Sequence, residues 1–433
     1  NTVQPIGMAT VHMTTDDSCP FHVTESQQAL AREFEPFRFL ADPHPLLARS
    51  RRRAPLFHDE KLDHWVVTDY QTIREILTDH ETYSSVNALD PISPLDPAVP
   101  EALEAGGFGA RPFIVNIDGD EHSEHKRIFT SVLHPRRVAR FEPEIRSLAR
   151  GLIGRFPRSG PFDFVDEFSL EFPALVIFTF LGLPAEDVRD VKSWADTRMQ
   201  LFFGNLAPEQ QRAQAGGIVE FWRYIEDHIA RQLDDPGDHF VGDMVRLHLS
   251  GEEDVTTNDI ANYCWSFLFA GHETTTAQTT SMVRDLLQQR QAWEAVVADQ
   301  TLVGRAVEES LRMNTSVFNW RRRTTRDVEI HGQTVPAGSD LFVVIGSANR
   351  DDTEFADPDR FQVEREEVRR HMGFGFGAHY CVGAGLARLQ LKVVLEELIS
   401  TAPDLELVPG GEQRHIDNVS FCGPRTLWLQ RRG

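Results

Sequence analysis

Phe374-Gly375-Phe376-Gly377-Ala378-His379-Tyr380-Cys381-Val382-Gly383 is a glycine-rich loop that delivers one cysteine just ahead of a helix. That helix follows Gly385, with Ala387, Leu391, Val394, Leu395 and Leu398 on one face. Glycines permit positive φ and let backbone approach a flat ligand closely. Backbone N–H groups and the helix N-terminus stabilise negative charge on sulfur. A thiolate held this way binds iron strongly and pushes electron density toward it. An isolated cysteine is more often a small buried hydrophobe, and Cys19, Cys264 and Cys422 are read that way. The pattern around Cys381 overrides that reading. A phosphate cradle is excluded, because neither GxGxxG nor a GK[ST] ending is present.

Upstream, Ala270-Gly271-His272-Glu273-Thr274-Thr275 interrupts a helix predicted over residues 256–290, which Thr256 and Asp259 open as a capping box. Glycine and consecutive threonines are poor helix formers, so their place in mid-helix needs a reason. The Thr274 hydroxyl can bond back to the Ala270 carbonyl and bend or open the helix. An acid beside a hydroxyl also suits proton delivery. A zinc-protease reading of His272-Glu273 fails, since Thr276 stands where the second histidine belongs. Further on, Glu309 and Arg312 form an i,i+3 pair, which alone is worth only roughly 0.2–0.5 kcal/mol.

The remaining sequence frames these pieces. The chain has 433 residues, 41% hydrophobic and 25% charged, ordinary for a soluble globular protein with a sizeable core. An excess of 66 acidic over 44 basic residues gives a formal charge of −22, which argues against nucleic acid or anionic lipid as partners. Residues 1–23 carry no signal-peptide pattern, and the most apolar stretch, 172–183, contains Pro173 and is too short to span a bilayer. Four scattered cysteines without a CxxC pair suit a reducing cytoplasm. Residues 1–30 are expected to be a loosely held extension, and 31–433 a single domain, mainly α with a small β region. A strand is predicted over 62–68, mostly helix over 121–312, and strands at 328–330 and 341–345. Residues 90–118, with four prolines between Pro91 and Pro100, are expected to be irregular and functional.

Together the pieces resemble the cytochrome P450 family. Residues 374–383 fill every defining position of its FxxGxHxCxG loop, and the resemblance runs from 65 to 429. Within the family the chain is similar to the haem portion of bacterial self-sufficient monooxygenases fused to a flavin and iron–sulfur reductase. The residues behind that likeness are His272-Glu273-Thr274-Thr275, Ser316-Val317, Trp320-Arg321-Arg322 and 421–428. The resemblance implies a P450 fold with haem b between the central helix and the helix after the cysteine loop. It implies Cys381 as the axial ligand, Ala270, Gly271, Phe374, Gly375 and Gly383 around the haem, and Glu273 and Thr274 as the acid and alcohol that serve dioxygen activation. It further implies a structural ion network of Glu309, Arg312 and Arg360, and propionate contacts from His122, Lys126, Arg322 and His371. Lys126 stands where the family often has arginine, and lysine lacks the guanidinium fork.

The implied activity is insertion of one oxygen atom of O2 into a C–H bond, by hydroxylation or O-dealkylation. A peroxide-using haem-thiolate enzyme and a non-enzymatic haem sensor are the alternatives, and neither needs the acid–alcohol pair. The chain has no iron–sulfur cysteine cluster and no dinucleotide fingerprint, so electrons from NAD(P)H are expected through an external or fused reductase. A ferredoxin or flavodoxin-type partner is expected at Lys126, Arg127, Arg136, Arg137, Arg369, Arg370 and Arg388. The substrate pocket is expected to include Phe113, Phe202, Phe203, Phe267, Val317, Phe318 and Phe421, with Asn319 offering a hydrogen bond. Such a lining favours a small, largely apolar aromatic compound, and a charged ligand would lose hydration without a partner.

Overall fold

A computed structural model describes residues 24–411 and 418–432. Cys19 and residues 1–23 of the expected extension lie outside the described residues. The helix that opens at the capping box starts as predicted: Thr256 Oγ1 accepts from the Asp259 N–H at 3.2 Å, and the Asp259 carboxylate accepts from the Thr256 N–H at 2.8 Å. The single helix predicted over 256–290 is two, Thr257–Ala270 and Glu273–Gln288. At the join, the Thr274 hydroxyl donates to the Ala270 carbonyl at 2.6 Å, the back-bond inferred from the sequence. Gly271 admits no side chain there: a Cβ would lie 2.6 Å from Ile177 Cδ1 and 2.8 Å from the Phe267 carbonyl oxygen.

The helix after the cysteine loop, Ala384–Thr401, buries Leu391, Val393, Val394, Leu395 and Leu398 completely. It packs against Glu142–Ile153, Val303–Met313 and Glu273–Gln288, so the cysteine loop hangs from the centre of the main core. Much of that core is phenylalanine. Phe164, Phe168 and Phe172 stack in series at 5.2 and 5.0 Å, a compact way to fill volume with few rotamers.

The β portion is small and sits to one side. A five-stranded sheet runs Leu56–Asp59, His64–Val67, Asp340–Val343, Trp320–Thr324, Tyr83–Ser84, antiparallel except where His64–Val67 meets Asp340–Val343. A three-stranded sheet orders Phe162–Asp163, Trp428–Arg431, Leu405–Leu407. Val328–Ile330 and Gln333–Val335 form a hairpin. The architecture is thus mainly helical with a small β region, as expected.

Three expectations about elements need correction. Residues 90–118 contain a regular helix, Ala98–Ala105. Pro97 sits at its N-cap and Pro100 in its first turn, where missing N–H donors cost nothing, so the proline cluster marks a helix start. Residues 24–30, expected in the extension, are ordered: Thr24 caps the helix Glu25–Glu33, and Leu30 and Phe34 are buried beside Phe57. The strand expected at 341–345 is Asp340–Val343, and Ile345 instead begins a short helix, Ile345–Ala348. Among the described residues, no helix is long and apolar enough to cross a membrane.

Candidate active site

A cavity of about 270 Å³ lies between the join of the two central helices and the cysteine loop. Ala270, Gly271, Thr274 and Thr275 line one side, and Phe374, Gly375, Cys381, Val382 and Gly383 the other. The loop is held by its own backbone, with the Cys381 N–H donating to the Phe374 carbonyl at 2.9 Å. Gly377 turns it at φ 69°, packed so closely that a Cβ would meet the Leu77 carbonyl oxygen at 2.3 Å. Cys381 is accessible, yet deep enough that burial pushes its thiol up; the surface it exposes belongs to the cavity. The N–H groups of Gly383 and Ala384 and the charge of Arg388 work in the opposite direction and favour the thiolate.

Two cations and two histidines gather at one edge of the cavity. His122, Lys126, Arg322 and His379 all line it. Arg322 reaches it by strand alternation: it and Trp320 share the sheet face turned toward the cavity, while Arg321 turns the other way toward Ala88 and Asp90. Arg322 is buried, its guanidinium donates only to the Arg321 carbonyl among the described residues, and burial pulls it down to about 10. Lys126 donates to the Ala378 carbonyl. His122 lies with its ring 4.1 Å from His379, and burial, then His379 and Lys126, bring it down to about 4. His379 Nε2 sits 3.1 Å from Asp118, whose carboxyl is held far below the ordinary range by His379, Ser84 and Ser85 despite its burial.

His371, expected in this group, is elsewhere. Its Nδ1 accepts from the Gly373 N–H at 3.0 Å and its Nε2 lies 2.9 Å from Glu308, which also pairs with Arg388. His371 braces the loop from below, and His379, part of the cysteine motif itself, takes the cavity position. Arg360 is likewise misplaced. Glu309 and Arg312 form a two-pronged buried pair at 2.8 and 2.9 Å, but the third member is Arg365, whose Nε lies 3.1 Å from both Glu309 oxygens. Asp357 adopts φ 46°, and the turn to Arg360 points its carbonyls inward and leaves the Arg360 side chain exposed.

Thr274 and Glu273 separate. Thr274 lines the cavity; Glu273, mostly buried, points off the cavity, 2.9 Å from Lys192 and 2.7 Å from His272. Burial pushes the Glu273 carboxyl up, but His272 and Lys192 outweigh it and hold it well below the ordinary range. Half-buried Asp196 beside it is pushed up to about 6, by burial and then by the Glu273 charge.

Of the expected substrate residues, Phe267, Val317 and Phe421 line the cavity. Phe113 packs in the core against Tyr263 at 4.8 Å, and Phe318 against Phe39 at 6.0 Å. Phe203 stands behind the wall, edge-on to Phe421 at 4.9 Å, and Phe202 lies beside it, half-buried. Asn319 is fully buried off the cavity wall, its amide bonded to the Val419 carbonyl and the Ser420 hydroxyl. The wall also holds Phe129, Phe269, Trp320 and Arg198, which sequence reasoning missed. For Arg198 a signal existed: it follows Val191 and Ala195 at helical spacing on the apolar face of Val188–Phe203.

These residues fit a haem. A single accessible sulfur faces a helix opened at Gly271, and the rim carries lysine, arginine and two histidines but, among the described residues, no carboxylate on the cavity wall. A buried, unpaired Arg322, and a His122 whose charged form burial and then its basic neighbours disfavour, mark a place for an anionic group. Residues 60–424 match the family described as Cytochrome P450. The chain is 30% identical to the cyclomarin C epoxidase CymV of Salinispora arenicola, over 89% of this chain and 94% of that protein. Its fold matches cytochrome P450 CREJ in complex with (4-ethylphenyl) dihydrogen phosphate with a TM-score of 0.89 and 33% identity, over 93% of this chain and all of that one. An intact type IV self-sufficient cytochrome P450 monooxygenase gives a TM-score of 0.89 and 34% identity, over 93% of this chain and 53% of its own length. With a match across most of its length and the cysteine loop facing an opened helix, the protein is a member of the cytochrome P450 family.

Proposed function

We propose that the protein inserts one atom of O2 into a small, largely apolar aromatic substrate, by hydroxylation or O-dealkylation. The observation that carries this reading is the Thr274 hydroxyl, fixed on Ala270 at the helix join and lining the same aromatic-walled cavity as Cys381. Haem, when bound, supplies the oxygen-activating chemistry. Cys381 would hold its iron, and His122, Lys126, Arg322 and His379 would hold its carboxylates. Phe129, Phe267, Phe269, Trp320 and Phe421 exclude water and orient a flat ligand by edge and face contacts. The aryl ligand bound to the similar CREJ protein supports the aromatic half of this reading.

Thr274 holds and passes a proton at its Oγ1 in the cavity. Glu273 replenishes it from the adjoining helix face, where Asp196 and Lys192 connect the carboxylate toward solvent. Glu273 must rotate from Lys192 to do so, which makes it a carrier that alternates between two positions. Electrons come from NAD(P)H through a ferredoxin or flavodoxin-type partner, and the protein works in the cytoplasm. The docking charge is smaller than the sequence suggests: Arg127, Arg137, Arg370 and Arg388 pair with Glu253, Asp243, Glu354 and Glu308, leaving Arg136 and Arg369 exposed without an ionic partner among the described residues. Replacing Thr274 by Ala tests the reading. Haem loading should be unchanged while product per NAD(P)H falls roughly tenfold or more, since a positioned proton donor contributes roughly 10²–10⁴-fold to its step. Unchanged product per NAD(P)H would remove Thr274 from the mechanism.

A further inference from the structure

Arg198 is a buried cation that the fold leaves without a counter-ion. It sits on the inward face of Val188–Phe203, only 4% exposed, and lines the cavity on the side bounded by Thr257–Ala270. Its Nη1 donates to the Trp265 carbonyl at 2.9 Å. The guanidinium carbon lies 4.2 Å from the Trp265 ring centre, 4.3 Å from Phe269 and 6.0 Å from Phe202. Among the described residues no carboxylate comes within ion-pairing distance of it, and none lines the cavity. Burial alone brings its pKa down to about 9, so the side chain remains charged at neutral pH.

Other buried arginines give the comparison. Arg312 and Arg365 share Glu309, and Arg350 meets Asp359. Arg321 and Arg322 also lack a carboxylate, but Arg321 donates to the Ala88 and Asp90 carbonyls away from the cavity, and Arg322 lies with the cysteine-loop cations. Arg198 lines the cavity with one carbonyl and aromatic faces. Leaving a guanidinium desolvated and unpaired is costly. Its fork has five N–H donors, and the single bond to Trp265 leaves the rest free to meet a ligand. Lys126, Arg322 and the two histidines gather with the cysteine loop, where they suit the carboxylates of a haem. Arg198 lies on a different helix, packed among Trp265 and Phe269, and is surplus to that task.

We infer that Arg198 anchors an anionic substituent of the substrate, so that the ligand class is an aromatic body bearing one carboxylate or phosphate monoester. This rests on the monooxygenase reading above and deepens it. It departs from the expectation that a charged ligand would find no partner, because the guanidinium fork offers two parallel N–H bonds to an oxyanion. Trp265 and Phe269 stack on the guanidinium and hold its plane, while Phe267, Trp320 and Phe421 receive the ring.

The test uses the haem-loaded full chain and three probes of matched shape: 4-ethylphenyl phosphate, 4-ethylbenzoate and 4-ethylphenol. Binding is read by calorimetry and, independently, by the shift of the haem absorption band. At least one anion should bind about tenfold or more tighter than the phenol, as a charge-assisted bidentate contact provides. Which anion wins distinguishes a phosphate from a carboxylate substrate. Arg198→Met should abolish the preference and leave phenol binding within about twofold, and Arg198→Lys should keep part of it. Equal binding of all three probes by the unaltered protein, or a preference that survives Arg198→Met, overturns the inference. Should Arg198→Met fail to load haem, Arg198→Lys with an undiminished preference does the same. Failure of the monooxygenase reading would show separately, as a calorimetric anion preference with no oxygenated product from any probe during NAD(P)H turnover.

Discussion

Exchanging Arg365 and Arg360 in turn for methionine separates the ion network drawn from the family resemblance from the one the fold builds. Arg365 is almost fully buried; its Nε lies 3.1 Å from both Glu309 oxygens, and its Nη atoms donate to the Ala356, Asp357 and Arg360 carbonyls. Removing it leaves Glu309 still paired with Arg312 at 2.8 and 2.9 Å, so no bare charge is created. What is lost is the charge-assisted bonding to one carboxylate, worth ~1.5–3 kcal/mol, and donors to three partly buried carbonyls. Recovered desolvation of the guanidinium offsets part of this, which places the net cost near ~3 kcal/mol, at the low end for breaking a buried ion pair. Arg360 contributes only its backbone carbonyl, which methionine retains, so its replacement should cost under ~0.5 kcal/mol. The assay is urea denaturation of the haem-loaded protein followed by circular dichroism, with the midpoint shift converted at constant slope. Equal losses for the two variants, or a loss under ~1 kcal/mol for Arg365→Met, would refute the network as described.

Cys381→Ala should abolish the red-shifted absorption band of the reduced carbon monoxide complex, and a normal thiolate spectrum in that variant would contradict the ligand assignment. Glu308 predicts a pH dependence: burial raises its pKa, but His371 and Arg388 outweigh this and bring it from an ordinary 4.5 to about 2. The depressed acid contributes stability in full above pH 4.5, and that contribution is lost as the pH falls toward 2. Glu308→Gln should therefore be less stable at pH 7 and approach the unaltered protein in acid; parallel stability curves across that range would exclude the pairing.

Much of the site was legible because it is local. The cysteine loop, the Thr256–Asp259 cap and the Thr274–Ala270 back-bond all join residues within ten positions, so spacing alone constrains them. The helix after Cys381 follows from periodicity, and the pairing of Glu309 with Arg312 from the family resemblance. The Ala98–Ala105 helix was hidden for a local reason too: proline was read as a breaker where its position in the first turn makes it an initiator.

By itself, then, the sequence determined the family, the cysteine that faces the cavity, the hydroxyl opposite it and the mainly helical architecture, since each is encoded in short-range spacing and side-chain chemistry. Tertiary structure decided what depends on distant segments meeting. It put Arg365 rather than Arg360 on Glu309 and His379 rather than His371 on the cavity wall. It also spent Asn319 on Val419, turned Glu273 away from Thr274 toward Lys192, and brought Arg198 into the aromatic wall without a carboxylate. The physical reason is common to all five. A polar side chain's role is set by which partner compensates its desolvation, and that partner comes from the packing of other segments, which the spacing of its neighbours along the chain does not record.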